Sequence, residues 1–261
     1  MKHLKAFLGL LRVRYTGQVL GIVSLLSIKS SGFSVQSVLA IASLLFLCIS
    51  LFSFDDAHDY SSDLLIHSKR PIPRGVFTVN QVRLVGAVFF CLGTLFSAFL
   101  APRQLAFYLL IAGLGLSVVF LKLKSIIRAC FIAFMIFMLF PFSMSISVKS
   151  TLFGFIVALP HISGSIVKDF LHSIGDENIG LQSPPYWARS MAGFLFFTSG
   201  AICFLPIFLS LVAWLYTIFI LPTFASCIIL GVKVMKGRYQ RVYIFGGVGM
   251  VSALAAFATS I

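Results

Sequence analysis

The sequence predicts an all-α protein, a polytopic membrane bundle of nine transmembrane helices. Three observations carry this expectation. Hydrophobic residues fill 59% of the 261 positions and charged residues only 10%, outside the range of soluble globular domains and in keeping with a chain whose solvent is lipid. The apolar runs are long enough to cross a hydrocarbon core of about 30 Å, which takes about 20 helical residues. The basic residues, finally, gather in alternate breaks between those runs, as cytoplasmic loops do.

In order, the spans are 11–29, 34–55, 78–101, 104–121, 126–147, 150–170, 188–208, 211–232 and 242–260, within one domain covering 1–261. The first opens on Arg12 and Arg14, so the residues before it read as a short interfacial segment. No small-residue cleavage site follows it, which favours a retained helix over a signal peptide. The second runs into an acidic stretch, "FDDAHDYSSD", and the loop "HSKRPIPRG" separates it from the third. Arg103 marks the break before the fourth, Lys122 and Lys124 the break before the fifth, which has Arg128 near its start, and Lys149 the break before the sixth. The sixth contains Pro160, a candidate kink, and ends in a second acidic stretch, "KDFLHSIGDE". Arg189 begins the seventh, and Lys233, Lys236, Arg238 and Arg241 separate the eighth from the ninth.

With the N-terminus inside, only Lys29, Arg103 and Lys149 of the 20 basic residues fall on the outer face, leaving 17 on the inner one. All seven acids share that inner face. The expected location is therefore an integral protein of the cell membrane, with its N-terminus and active site on the cytoplasmic side. A net charge of +13 would suit nucleic acid if the charges formed a soluble patch. They flank membrane helices instead, so anionic membrane lipids and anionic substrates are the partners expected, and nucleic acid is not. The five cysteines lie in or beside apolar runs without a CxxC pair, and read as small core residues.

Four aspartates within nine positions are exceptional in a chain with seven acids. Asp55, Asp59 and Asp63 follow an i, i+4, i+8 spacing, which keeps them within an arc of roughly 80° on a helix. Asp56 stands about 60° from Asp59, off the stripe but near enough to support it. Asp169 and Asp176 are spaced i, i+7 in the second stretch. Crowded carboxylates either stay protonated or are neutralised by a cation. Hard oxygen donors select Mg²⁺, which takes one or two carboxylates and completes its octahedron with water and substrate phosphate. The stiff basic loop at 67–75 beside such an ion suits a diphosphate.

"DDAHDYSSD" resembles the first aspartate-rich motif of the UbiA superfamily of intramembrane prenyltransferases, NDxxDxxxD, and "RPIPRG" resembles the RPxPSG stretch that follows it. "KDFLHSIGDENIG" resembles the second motif, KDxxDxxGDxxxG. Asp55 stands where the family has Asn, and His172 replaces the middle Asp of the second motif. The resemblance implies an enzyme, a prenyltransferase, whose cofactor is Mg²⁺. Asp55 and Asp59 would hold one ion and Asp169 and Asp176 another, with an isoprenoid diphosphate donor between them. Arg12, Arg70, Lys122 and Lys168 would contact the diphosphate, and Asp63 would orient a lipophilic acceptor or assist its deprotonation. Gly75 lies twelve positions after Asp63, and this spacing is similar to the short-loop archaeal form, digeranylgeranylglyceryl phosphate synthase. That form implies geranylgeranyl diphosphate as donor and geranylgeranylglyceryl phosphate as acceptor, in archaeal membrane lipid biosynthesis. An aromatic acceptor, 4-hydroxybenzoate or a quinone precursor, is the alternative within the family. A cation-coupled transporter is the alternative of another class, although transporters place their acids near the bilayer midplane at broken helices.

Overall fold

The computed structural model describes residues 8–66, 70–121, 123–177, 185–239 and 241–260. All regular structure among them is helical, in two compact units, Met1–Lys122 and Leu123–Ile261. The first unit holds α1 (Val13–Ser31), α2 (Val35–His58), the short α3 (Tyr60–Ile66), α4 (Val79–Ala98) and α5 (Pro102–Phe120). The second holds α6 (Ser125–Ser143), α7 (Val148–Glu177), α8 (Tyr186–Ile202), the single turn α9 (Leu205–Phe208), α10 (Trp214–Met235) and α11 (Val242–Ala258).

Seven segments among the described residues are long and apolar enough to cross a membrane: α2, α4, α5, α6, Val148–Leu171 of α7, Tyr186–Phe208 and α10. The apolar α11 is shorter, at 17 residues, and α1 is not among the seven. Large apolar side chains face outward, including Leu84, Phe99, Phe194 and Val251. Such a surface suits lipid and would be an aggregation hazard in water.

α2 is the centre of the first unit, packing against α1, α4 and α5. Its start is fixed by Ser34, whose hydroxyl accepts from the Ser37 N–H at 3.2 Å. α4 begins with a capping box between Thr78 and Gln81. Ala40, Ser43, Leu44, Leu47 and Ser50 recur at helical spacing on the buried face of α2. α4 meets that face through Gly93, where a Cβ would lie 3.0 Å from the Ser43 carbonyl oxygen and 2.7 Å from the Tyr108 hydroxyl. Backbone cannot rotate aside, so Gly93→Ala is expected to destabilise the protein by about 1–3 kcal/mol. Thermal unfolding in detergent measures this against Gly113→Ala, a near-neutral control because a Cβ at Gly113 meets nothing within 4 Å.

In the second unit Ile166, Val167, Ala188, Ala192, Phe196, Leu230 and Val234 form one core cluster. Several expected boundaries shift. α7 does not stop at 170 but continues to Glu177. The seventh span is not one helix to 208. α8 ends at Ile202, ahead of Pro206, which has no N–H to offer the Ile202 carbonyl. The eighth starts at Trp214 and not at 211, after a reversal in which Ser210 takes a φ of 54° and the Leu211 N–H bonds to the Pro206 carbonyl at 2.9 Å.

α7 passes through Pro160 without interruption. Proline removes the N–H that would serve the Ile156 carbonyl, and Ser199 of α8 donates its hydroxyl to that carbonyl at 3.0 Å. Ser163 one turn later donates to the Ala192 carbonyl at 2.9 Å, tying the same two helices again. In an apolar medium each such bond removes an unmet polar group.

Candidate active site

In the first unit the acid stripe is built where α2 gives way to α3. Asp55 and Asp56 occupy the last turn of α2, and Asp59 caps it with a φ of −85° and a ψ of 8°. The helix is interrupted at Asp59, yet its hydrogen-bond spacing is not. The Asp59 N–H bonds to the Asp55 carbonyl and the Asp63 N–H to the Asp59 carbonyl, both at 2.9 Å. The expected i, i+4, i+8 ladder therefore survives the break.

The arginines close on this stripe. Arg12 Nη2 lies 2.7 Å from Asp55 Oδ2 and donates to Asp56 Oδ1 at 2.5 Å. Arg70 Nη1 donates to Asp63 Oδ2 at 2.6 Å and to Asp56 Oδ1 at 3.3 Å. Asp56, expected only to support the stripe, is thus the acceptor that both guanidinium groups share. It is 3% exposed, as is Asp63, so these pairs are largely shielded from water. The Arg12 and Arg70 side chains, expected at a diphosphate, stand against carboxylates in this structure.

Both arginines are held by local structure. Arg12 has a φ of 42°, a left-handed conformation that is uncommon for a residue with a Cβ and concentrates at functional sites. Its guanidinium also lies over the Phe52 ring, 5.1 Å from the centroid. Arg70 begins a compact turn in which the Arg74 N–H bonds to the Arg70 carbonyl at 3.1 Å and the Gly75 N–H to the Ile72 carbonyl at 2.8 Å. Gly75 supplies the positive φ, 65°, that this turn needs. Ile72 is buried with Leu10, Ala57 and Val82, which anchors the basic loop to the unit.

Burial pushes the Asp59 carboxyl up from its ordinary range, and repulsion from Asp55 and Asp63 adds to it, against weaker opposition from His58 and Arg70. For Arg12, burial acts to lower the guanidinium, but Asp55 and Asp56 more than reverse that.

In the second unit Asp169 is 8% exposed on α7. Ser125, the first residue of α6, donates to its Oδ2, and Arg128 Nη2 donates to its Oδ1 at 2.7 Å. Sequence reasoning missed both partners. The available signal was an arginine one turn inside an apolar span, since a charge at membrane depth is usually functional or paired. Lys168 is exposed beside Asp169. Asp176 lies on the same helix, but its side chain and that of His172 fall outside the described residues, as does Lys122.

Among the described residues no group of three His, Cys, Asp or Glu side chains forms a ready-made metal cage. Mg²⁺ needs no such cage, since it uses few protein carboxylates and keeps positions for water and phosphate. Asp55 fits such a role on accessibility, with 30% of its side chain exposed and Oδ2 toward Arg12. Asp169 has one donor on each oxygen, which leaves each oxygen a second lone pair for an ion.

The chain is similar to several solved structures. A digeranylgeranylglyceryl phosphate synthase shares 20% identity with a TM-score of 0.78, all of each chain being covered. A UbiA homolog from Aeropyrum pernix K1 shares 14% identity with a TM-score of 0.75, over 95% of this chain and 97% of that one. A UbiA homolog from Archaeoglobus fulgidus, bound to GPP and Mg²⁺, shares 15% identity with a TM-score of 0.67, over 97% and 99%. A search of curated protein sequences finds no match. The model of the UbiA prenyltransferase family matches residues 19–243, a stretch that contains both aspartate-rich motifs. On that match the chain belongs to the UbiA prenyltransferase family.

Proposed function

We propose that this prenyltransferase moves a geranylgeranyl group, with Mg²⁺, from its diphosphate to geranylgeranylglyceryl phosphate, forming an archaeal-type membrane lipid. The observation that carries the reading is the pair of aspartate-rich motifs inside the family match, one at 55–63 and the other at 168–180. The full-length likeness to a digeranylgeranylglyceryl phosphate synthase supports the choice of acceptor, and the short Asp63-to-Gly75 connection agrees with it. The two Archaeoglobus fulgidus structures, bound to GPP or DMAPP with Mg²⁺, support the donor class and the cofactor.

On this reading Asp55 and Asp59 hold one Mg²⁺, and Asp169 and Asp176 hold another. The ions would neutralise the charge that grows on the departing diphosphate. Arg12 and Arg70 serve as preset donors, each already oriented by two carboxylates. Donors fixed before the reaction need no reorganisation when charge develops. Asp63, buried and tied to Arg70, orients the acceptor hydroxyl. Burial around these groups excludes water, which would otherwise capture an allylic cation. The reading further places nine membrane crossings, with α1 and α11 among them, and sets the N-terminus and both acidic stretches on the cytoplasmic side, following the 17-to-3 division of basic residues.

Purified protein supplied with geranylgeranyl diphosphate and a choice of acceptors tests the proposal. The expected result is Mg²⁺-dependent pyrophosphate release and a digeranylgeranylglyceryl phosphate product; a prenylated hydroxybenzoate would move the acceptor to the aromatic class. Ion flux in liposomes without turnover would make the protein a transporter.

A pH dependence follows from Asp59. A proton and Mg²⁺ compete for its carboxylate, and its upward displacement lets the proton win at higher pH than at an ordinary aspartate. The Mg²⁺ concentration needed for half-maximal activity is therefore expected to begin rising, as pH falls, while the pH is still above the ordinary aspartate value of about 3.9. A requirement that stays flat until that value is reached contradicts the displaced Asp59.

A further inference from the structure

A second group of cations lies in the second unit, around the turn that follows α10. Lys233, Gly237, Arg238 and Tyr239 line a cavity of about 520 Å³ there, a volume in the range of small-molecule sites. The turn closes α10 by two hydrogen bonds, from the Gly237 N–H to the Val234 carbonyl at 2.9 Å and from the Arg238 N–H to the Lys233 carbonyl at 2.8 Å. Gly237 takes a φ of 67°. This is a glycine-terminated helix end that consumes carbonyls otherwise repellent to an anion.

Glycine at 237 also makes room for Arg189. Its Nη1 lies 3.1 Å from where a Cβ at 237 would sit. The guanidinium is pinned by Tyr186, over whose ring it lies at 4.3 Å and to whose hydroxyl Nη2 donates. Its Nε is buried with no hydrogen-bond partner. No carboxylate pairs with Arg189 or Arg238 among the described residues, whereas Arg12, Arg70 and Arg128 each have one. An ordinary positive-inside loop leaves its cations extended in water. Here Lys233 and Arg238 line the cavity itself, and Arg189, hydrogen-bonded to Tyr186 and Tyr239, braces the turn beside them.

We propose that this cavity seats the phosphate group of a polar lipid. A planar guanidinium fork with additional N–H donors is matched to phosphate oxygens. The ring of Tyr239 stacks on Phe170 at 6.1 Å, and Phe170 follows Asp169 in the chain. The cavity therefore adjoins the end of α7 that carries the second acidic motif. Two lipids bring this chemistry: the phosphate-bearing acceptor, which rests on the prenyl-transfer reading above, and a phospholipid of the surrounding bilayer, which does not.

Arg238→Gln tests the site, since Arg238 is exposed on a turn and its loss leaves the core intact; Arg238→Lys serves as partial rescue. Two measurements are made on the full chain. One is the KM for geranylgeranylglyceryl phosphate against kcat; the other is retention of phosphatidylglycerol from phosphatidylcholine nanodiscs, read by native mass spectrometry. A rise of about tenfold in acceptor KM at constant kcat identifies the acceptor phosphate as occupant. A fall of similar size in phosphatidylglycerol retention, with KM constant, identifies a bilayer phospholipid, and movement of both means that the two share the seat. If neither quantity moves, the proposal is overturned. Should the wild type release no pyrophosphate, the prenyl-transfer reading fails by itself, and the retention measurement still decides the site.

Discussion

Replacing Asp59 with Ala is expected to reduce prenyl transfer by about a thousandfold, to background, while the protein still inserts and folds. The helix cap at this position is made by the backbone N–H, which reaches the Asp55 carbonyl whatever the side chain, so the carboxylate is free to be lost without unravelling α2. Asp169→Ala is expected to have the same effect on turnover. It leaves Arg128 with 46% of its side chain exposed, able to turn to water, so folding again survives. Pyrophosphate release at saturating Mg²⁺ measures both variants, and size-exclusion profiles in detergent check their integrity. Activity near wild type in either one would show that the metal assignment is misplaced.

The second large effect is on stability. Asp56→Ala removes the acceptor shared by Arg12 and Arg70, leaving two poorly hydrated guanidinium groups short of a partner. Each keeps a second carboxylate, Asp55 or Asp63, so the expected loss is about 1–3 kcal/mol, below that of a fully unpaired buried charge. A double variant, Arg12→Ala with Asp56→Ala, is expected to be less destabilised than the sum of its parts, with a coupling of about 0.5–3 kcal/mol. Thermal unfolding of the four proteins in this cycle gives the coupling directly. If Asp56→Ala unfolds within about 0.5 kcal/mol of wild type, as surface substitutions do, Asp56 is not the hub of the cluster.

The order and type of the helices were legible because apolar length is read directly from sequence, and lipid punishes any other backbone arrangement. Seven of the nine expected spans reappear as helices long and apolar enough to cross a membrane. Boundaries were less legible: Pro206 divides the seventh span, and α7 runs on to Glu177, past its expected end.

In the site, the spacing of Asp55, Asp59 and Asp63 was readable from helical geometry. The centrality of Asp56 was not, because it arises from Arg12 and Arg70, which approach from 44 and 14 residues away. The left-handed backbone of Arg12 left no mark in the sequence, since the residue is not a glycine. Arg128 was visible as a charge in an apolar span, but its partner on α7 lies 41 residues away.

The hydroxyl that Ser199 extends to the Ile156 carbonyl makes positions 160 and 199 an epistatic pair. Substituting Ser199 by Ala in the native background strands that oxygen, a defect worth about 1–3 kcal/mol. In a Pro160→Ala background the recovered amide proton reaches the same oxygen along the helix, and the serine becomes dispensable. Homologous chains with an ordinary residue at 160 are accordingly expected to tolerate loss of the hydroxyl at 199, a coupling whose origin is one missing hydrogen.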